Sequence, residues 1–186
     1  MAATETLQIP LGFTAPEFNL PDTVSGEHYT FSDLKGPRAT VVMFICNHCP
    51  YVIHIQSELV KLAKDYLSKG IHFIAISSND VEKYPDDSPE LMKIFAEKNG
   101  FIFPYLYDES QAVAKAYFAA CTPDFSVFDS ENKCVYRGQL DNSRPKNNNP
   151  VTGKDIREAL DAVLAGIPVK PLQVPSIGCN IKWKPD

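Results

Sequence analysis

The sequence lacks any apolar run approaching the ~20 residues that a membrane-spanning helix needs. Its longest, around Val41 to Ile45, is far shorter. It also lacks a basic leader running into an apolar stretch, so a cytoplasmic protein without membrane partners is expected. Positive charge is scarce and unclustered. Eighteen Lys and Arg stand against 23 Asp and Glu, a formal net charge of −5, which argues against nucleic acid as a partner. A second C-x-x-C is missing too, so the usual four-ligand zinc framework is not supported. Cysteine is sparse and odd in number, five in 186 residues, which is not the pattern of a disulfide scaffold. No internal repeat and no linker divides the chain. One domain over 1–186 is expected, with a proline- and turn-rich lead-in at 1–38 and an extended tail at 168–186.

What is present is alternation of strand and helix patterns. Ala39 to Ile45 is a continuous apolar, β-branched run, as in a strand buried on both faces. Val52, Ile55, Leu59, Leu62 and Tyr66 then recur at helical spacing, with Glu58, Lys61 and Asp65 on the other side and Gly70 placed to stop the helix. Ile71 to Ile76 reads as a second buried strand. Ser88-Pro89 opens another helix and Asn99-Gly100 closes it. A short strand is expected at Tyr105 to Tyr107 and a helix over 110–120, broken at Thr122-Pro123. Phe125 to Phe128 and Cys134 to Arg137 form a hairpin around Ser130-Glu131-Asn132. Residues 141–150 are a polar loop, and Thr152 is expected to cap a last helix ending at Gly166. This order, β-α-β-α-β-α-β-β-α, implies an α/β fold with a central mixed sheet flanked by helices.

Chemistry concentrates at Cys46-Asn47-His48-Cys49. The pair follows a buried strand and precedes a helix, where free N–H groups and the helix dipole stabilise a thiolate. The two-residue spacing lets the sulfurs close a disulfide. His48 between them is expected to tune the thiol pKa. Pro50 cannot donate an intrahelical bond but suits the first helical position, which makes Cys49 the N-cap and gives it the helix end most directly. Cys179, in the tail, is a candidate third redox thiol. Cys121 and Cys134 read as packing residues, His54 as solvated, and Trp183 as a staple for the tail.

Taken together, the chain resembles the thioredoxin superfamily, most of all its peroxiredoxin-like AhpC/TSA-type members. The resemblance rests on Ala15-Pro16-Glu17-Phe18, Phe31-Ser32-Asp33-Leu34-Lys35-Gly36, Phe44-Ile45-Cys46-Asn47-His48-Cys49-Pro50, Cys121-Thr122-Pro123-Asp124-Phe125, Tyr136-Arg137-Gly138-Gln139-Leu140-Asp141 and Ser176-Ile177-Gly178-Cys179. It implies a thioredoxin-like fold with an N-terminal extension and an inserted strand–helix. It also implies a cis peptide at Thr122-Pro123 facing the dithiol, with the Thr122 backbone free to pair with a bound polypeptide. On the same basis Cys46 is the expected nucleophile, against the helix-cap argument for Cys49. Two family features are absent: Ile45 stands where thioredoxin has tryptophan, and Thr40 where it has a buried acid. His48 or Glu17 is the expected substitute proton acceptor.

Three functions follow as expectations. The first is a thiol-disulfide oxidoreductase using Cys46 and Cys49 on protein or small-molecule disulfides. The second is a thiol peroxidase with Cys49 peroxidatic and Arg144 at the peroxide site, although Cys46 occupies the place of the family's threonine. The third is a metal-binding or chaperone-like module using Cys46, His48 and Cys49. No cofactor and no resident metal are expected.

Overall fold

A computed structural model describes residues 3–185, so the outermost residues of the lead-in and tail lie outside it. Its centre is a five-stranded mixed sheet. The strands are β4 (Ala39–Phe44), β5 (Ile71–Ser77), β6 (Tyr105–Tyr107), β8 (Asp124–Asp129) and β9 (Cys134–Gly138), in the order β6-β5-β4-β8-β9. β5 runs parallel to β4 and β6, while β8 is antiparallel to β4 and to β9. The expected run of buried residues is realised in β4, where every residue is buried. The reason is that both faces of the sheet are covered. Val41 and Met43 pack with Leu59, Leu62 and Leu160 on one side, and Val42 and Phe44 with Phe31, Tyr117 and Phe128 on the other.

Among the described residues the long helices are α2 (Pro50–Leu67), α3 (Pro89–Asn99) and α5 (Lys154–Ala165); α1 (Phe31–Leu34) and α4 (Ala112–Ala116) are short. Ser88 caps α3 and Gly100 ends it in the left-handed conformation, as its sequence predicts. Two helix expectations are corrected. The helix expected over 110–120 is only α4, because left-handed backbone at Gln111 and Phe118 bounds it on both sides. The last helix is capped not by Thr152 but by Gly153, at φ 65° with no side-chain bond. The side chain of Asp141 takes the N–H groups of Thr152 and Gly153 instead, each at 2.7 Å.

The lead-in contributes β1 (Ala3–Glu5) and the β2 (Asn19–Pro21)–β3 (His28–Thr30) hairpin. The tail holds a strand, β10 (Ile177–Asn180), which lies between β1 and the short β7 (Cys121–Thr122) in a second, antiparallel sheet. No helix among the described residues is long and apolar enough to cross a membrane.

Candidate active site

Strand β4 delivers the chain to the dithiol, and α2 begins just after it. Cys49 is the N-cap of α2 and Pro50 its first residue, the arrangement expected from proline's missing N–H. The carbonyl of Cys49 accepts from Val52 and Ile53, and its side chain is left free for other partners. Cys46 and Cys49 are both reduced and both buried.

The two sulfurs lie against the Thr122-Pro123 loop, whose peptide bond is cis. The Cys46 sulfur is 3.4 Å from the Thr122 hydroxyl, and the Cys49 sulfur is 3.2 Å from the Thr122 carbonyl oxygen, a bond Cys49 donates when protonated. The thiols also bond each other, and this splits their acidities. Hydrogen bonding from Cys46 is the largest cause that brings Cys49 down to about 5, helped by Thr122 and Cys179 and opposed by burial. The same bond, then burial and the charge of Asp87, push Cys46 well above an ordinary thiol. Cys49 is therefore the more acidic of the two sulfurs, in agreement with its helix-cap position.

The carboxylate beside the dithiol belongs to neither Glu17 nor any other residue singled out in the sequence, but to Asp87. Asp87 is fully buried in the segment between β5 and α3. Its carboxylate accepts from the backbone N–H of Asn47 at 2.8 Å and the side chain of Asn79 at 2.8 Å, and it lies 2.7 Å from Nδ1 of His48. Burial works to raise the Asp87 pKa, but His48, Asn79 and Asn47 outweigh it and hold the carboxyl ionised below its usual range. Asp87 in turn raises the His48 pKa, against burial. The ring of His48 stacks on Tyr84, centroids 5.8 Å apart and planes 4° apart. Tyr105, fully buried, donates to the Asn47 side chain at 3.1 Å. Asp87 sits in a Pro-Asp-Asp-Ser-Pro turn. Its signal was an acid poised just before a helix cap, with no pattern marking it as buried.

The other expected residues fall as follows. Glu17 is exposed, accepts from Ser32 and is not among the groups around the dithiol. Thr40 is buried, and its hydroxyl accepts from the Gly36 N–H at 2.9 Å. Arg144 does not bond either sulfur. Its guanidinium donates to the carbonyls of Asp141 and Ser143 and to the Gln139 side chain, so it braces its own loop. His54 is not simply solvated but bonds the Ser143 hydroxyl at 2.7 Å. Cys121 and Cys134 are buried and bond the carbonyls of Pro123 and Tyr136. Burial, acting first, pushes both thiols up, Cys134 to about 12.

The Thr122 backbone edge is not free. Cys179 of β10 pairs with Thr122, and Asn180 with Cys121. This also brings Cys179 to the Cys49 sulfur, which receives hydrogen bonds from its backbone and its thiol. Metal-binding donors converge in one place among the described residues. Cys46, His48 and Asp87 hold one donor atom each within 4.8 Å of one another. Asp87 thus takes the place the sequence gave Cys49. Three donors are one short of a closed tetrahedral site.

A family model described as Redoxin matches residues 10–156. Among solved structures, an uncharacterized conserved protein from Geobacillus kaustophilus is 61% identical, with a TM-score of 0.98 over 100% of this chain and 98% of its own. A Mycobacterium tuberculosis protein whose name places it provisionally among the peroxiredoxins is 27% identical over 116 residues, 62% of this chain and 68% of its own length. The thiol-disulfide oxidoreductase ResA of Geobacillus thermodenitrificans is 26% identical over 133 residues, 70% of each chain.

Proposed function

The chain belongs to the Redoxin family, a group of thioredoxin-superfamily redox proteins, and we propose that it is a thiol-disulfide oxidoreductase in which Cys49 is the attacking sulfur. One observation carries this reading: a reduced, buried pair, Cys46 and Cys49, held against the Thr122-Pro123 loop with Cys49 at the N-cap of α2. The likeness to ResA supports the reaction class.

The reaction runs in two steps. The Cys49 thiolate attacks one sulfur of a substrate disulfide, the substrate S–S bond breaks, and the first half leaves as a thiolate. Cys46 then gives its proton to the Asp87–His48 pair and attacks Cys49. The second half of the substrate leaves, and the protein holds a Cys46–Cys49 disulfide. Two electrons have passed from the dithiol to the substrate, and an external dithiol restores the protein. The bond to Cys49, then burial and the charge of Asp87, raise Cys46, which keeps it protonated until the mixed disulfide has discharged Cys49.

A second reading is a thiol peroxidase, favoured by an acidic Cys49 followed by Pro50 and by the peroxiredoxin relative. Against it, the Arg144 guanidinium is spent on its own loop. Turnover of glutathione disulfide with dithiothreitol as donor tests the first reading. Wild-type protein turns over, Cys49→Ser loses turnover, and Cys46→Ser turns over more slowly than wild type. Full activity in either variant, or turnover of hydrogen peroxide but not of disulfide, overturns it.

A further inference from the structure

Strand β10 does more than close the fold. It lies antiparallel on Thr122, in register Cys179 to Thr122, and so fills a backbone edge of β7 beside the dithiol. The fit is close. A Cβ on Gly178 would stand 1.9 Å from the Thr122 carbonyl oxygen, so only glycine lets the strand lie this near. Both flanks are tied down. The Ser176 hydroxyl donates to the Pro123 carbonyl at 2.7 Å, and the Ile181 N–H to the Ala120 carbonyl at 3.1 Å. Beyond them, the backbone of Lys182 bonds Asn79, Asp80 and Gln111.

This anchoring holds a third thiol beside the dithiol: Cys179 pairs with Thr122, whose carbonyl oxygen is 3.2 Å from the Cys49 sulfur, and Cys46, Cys49 and Cys179 share one buried cluster. We propose that Cys179 is a redox partner of Cys49, and that β10 acts as a built-in substrate strand which forms a Cys49–Cys179 disulfide by exchange. The proposal rests on Cys49 being the attacking sulfur. In the exchange, the Cys179 thiolate attacks the Cys49 sulfur of the Cys46–Cys49 disulfide. The Cys46–Cys49 bond breaks, Cys46 leaves as a thiolate and takes up the proton that Cys179 gave up. One S–S bond replaces another with no net redox change, so no further oxidant is needed.

The electrostatics give the exchange a direction. In the reduced site, burial first and then the adjacent Cys49 sulfur, through its hydrogen bond and charge, raise Cys179 to about 12. Oxidation of Cys49 to a disulfide removes its charge and its need for donors, and only the burial cause remains, opposed by Lys182. Oxidation of Cys49 lifts the part of the shift that Cys49 itself imposes on Cys179, while burial, the larger cause, stays. With the Thr122 edge already filled, the disulfides this site accepts are compact ones that need no strand pairing.

The experiment uses the whole chain with glutathione disulfide as the probe. Cys46→Ser protein is treated, quenched in acid, alkylated and mapped by mass spectrometry without reduction. A Cys49–Cys179 crosslink is expected, with two glutathione molecules released per crosslink, one as Cys49 forms its adduct and one as Cys179 displaces it, and with Cys121 and Cys134 alkylated. In the Cys46→Ser, Cys179→Ser protein the crosslink is lost and the Cys49–glutathione adduct persists. Circular dichroism confirms that both variants are folded. A stable Cys49–glutathione adduct with Cys179 alkylated in the single variant overturns this inference alone, provided wild-type protein forms Cys46–Cys49. If wild-type protein forms no Cys46–Cys49 disulfide and Cys49 takes up no glutathione, the reading of Cys49 as attacking sulfur fails and this inference with it.

Discussion

At the scale of single residues, one hydrogen bond makes two cysteines of the same motif unlike. The Cys46 thiol donates and the Cys49 sulfur accepts, so Cys49 drops to about 5 while Cys46 rises. The sign follows directly: Cys49 is a thiolate above about pH 5 and a thiol below it. Thiolate absorbance near 240 nm is therefore expected to appear with a midpoint near pH 5 in wild-type protein and to vanish from that range in Cys49→Ser. Cys46→Ala removes the largest lowering cause, and the midpoint moves up toward that of a free thiol, about 8.5. Asp87 acts at one remove. It raises both His48 and Cys46, so Asp87→Asn lowers the His48 midpoint, read by the pH dependence of its imidazole NMR signals. The same substitution shifts the pH at which the mixed disulfide resolves, while thiolate absorbance from Cys49 stays. An unchanged His48 midpoint would remove Asp87 from the account.

At the scale of elements, the site is a junction of four pieces: the end of β4, the start of α2, the turn carrying Asp87, and the Thr122-Pro123 loop backed by β10. Gly178→Ala tests the last of these. Its added methyl meets the Thr122 carbonyl, so β10 shifts off β7, the Cys49–Cys179 crosslink is lost, and amide exchange in 177–180 quickens while α2 stays protected. Leu59 in α2 is fully buried, and Leu59→Ala costs roughly 2–5 kcal/mol of stability by leaving a cavity, read by chemical denaturation. Much of this was legible in the sequence. The apolar run of β4 and the Cys49–Pro50 boundary follow from local rules, because burial on both faces and proline's missing donor act over a few residues. Asp87 and the docking of β10 were not legible. An acid's burial and a tail's partner depend on residues about forty to sixty positions away, Asn47 for Asp87 and Thr122 for Cys179. Arg144 matched a family pattern by position, but its own loop had claimed its donors.

At the scale of the whole molecule, the mixed sheet holds the dithiol at one end of its central strand, and the tail returns from the far end of the chain to cover it. Both thiols are buried in the reduced state, so reaction with any disulfide requires the covering elements to move. That predicts slow first attack on bulky disulfides and faster attack on compact ones. A rate ratio near one between glutathione disulfide and a folded protein disulfide would contradict the part given to β10. The central claim is narrower: Cys49, not Cys46, attacks. It is tested most directly by single-turnover release of thionitrobenzoate from Ellman's reagent at pH 7, with the trapped sulfur identified by mass spectrometry. The account predicts a fast first release from Cys46→Ser, whose serine hydroxyl still offers Cys49 a donor, with the adduct on Cys49 or its product with Cys179. Cys49→Ser reacts slowly. Fast release from Cys49→Ser with the adduct on Cys46, and slow release from Cys46→Ser, would contradict it.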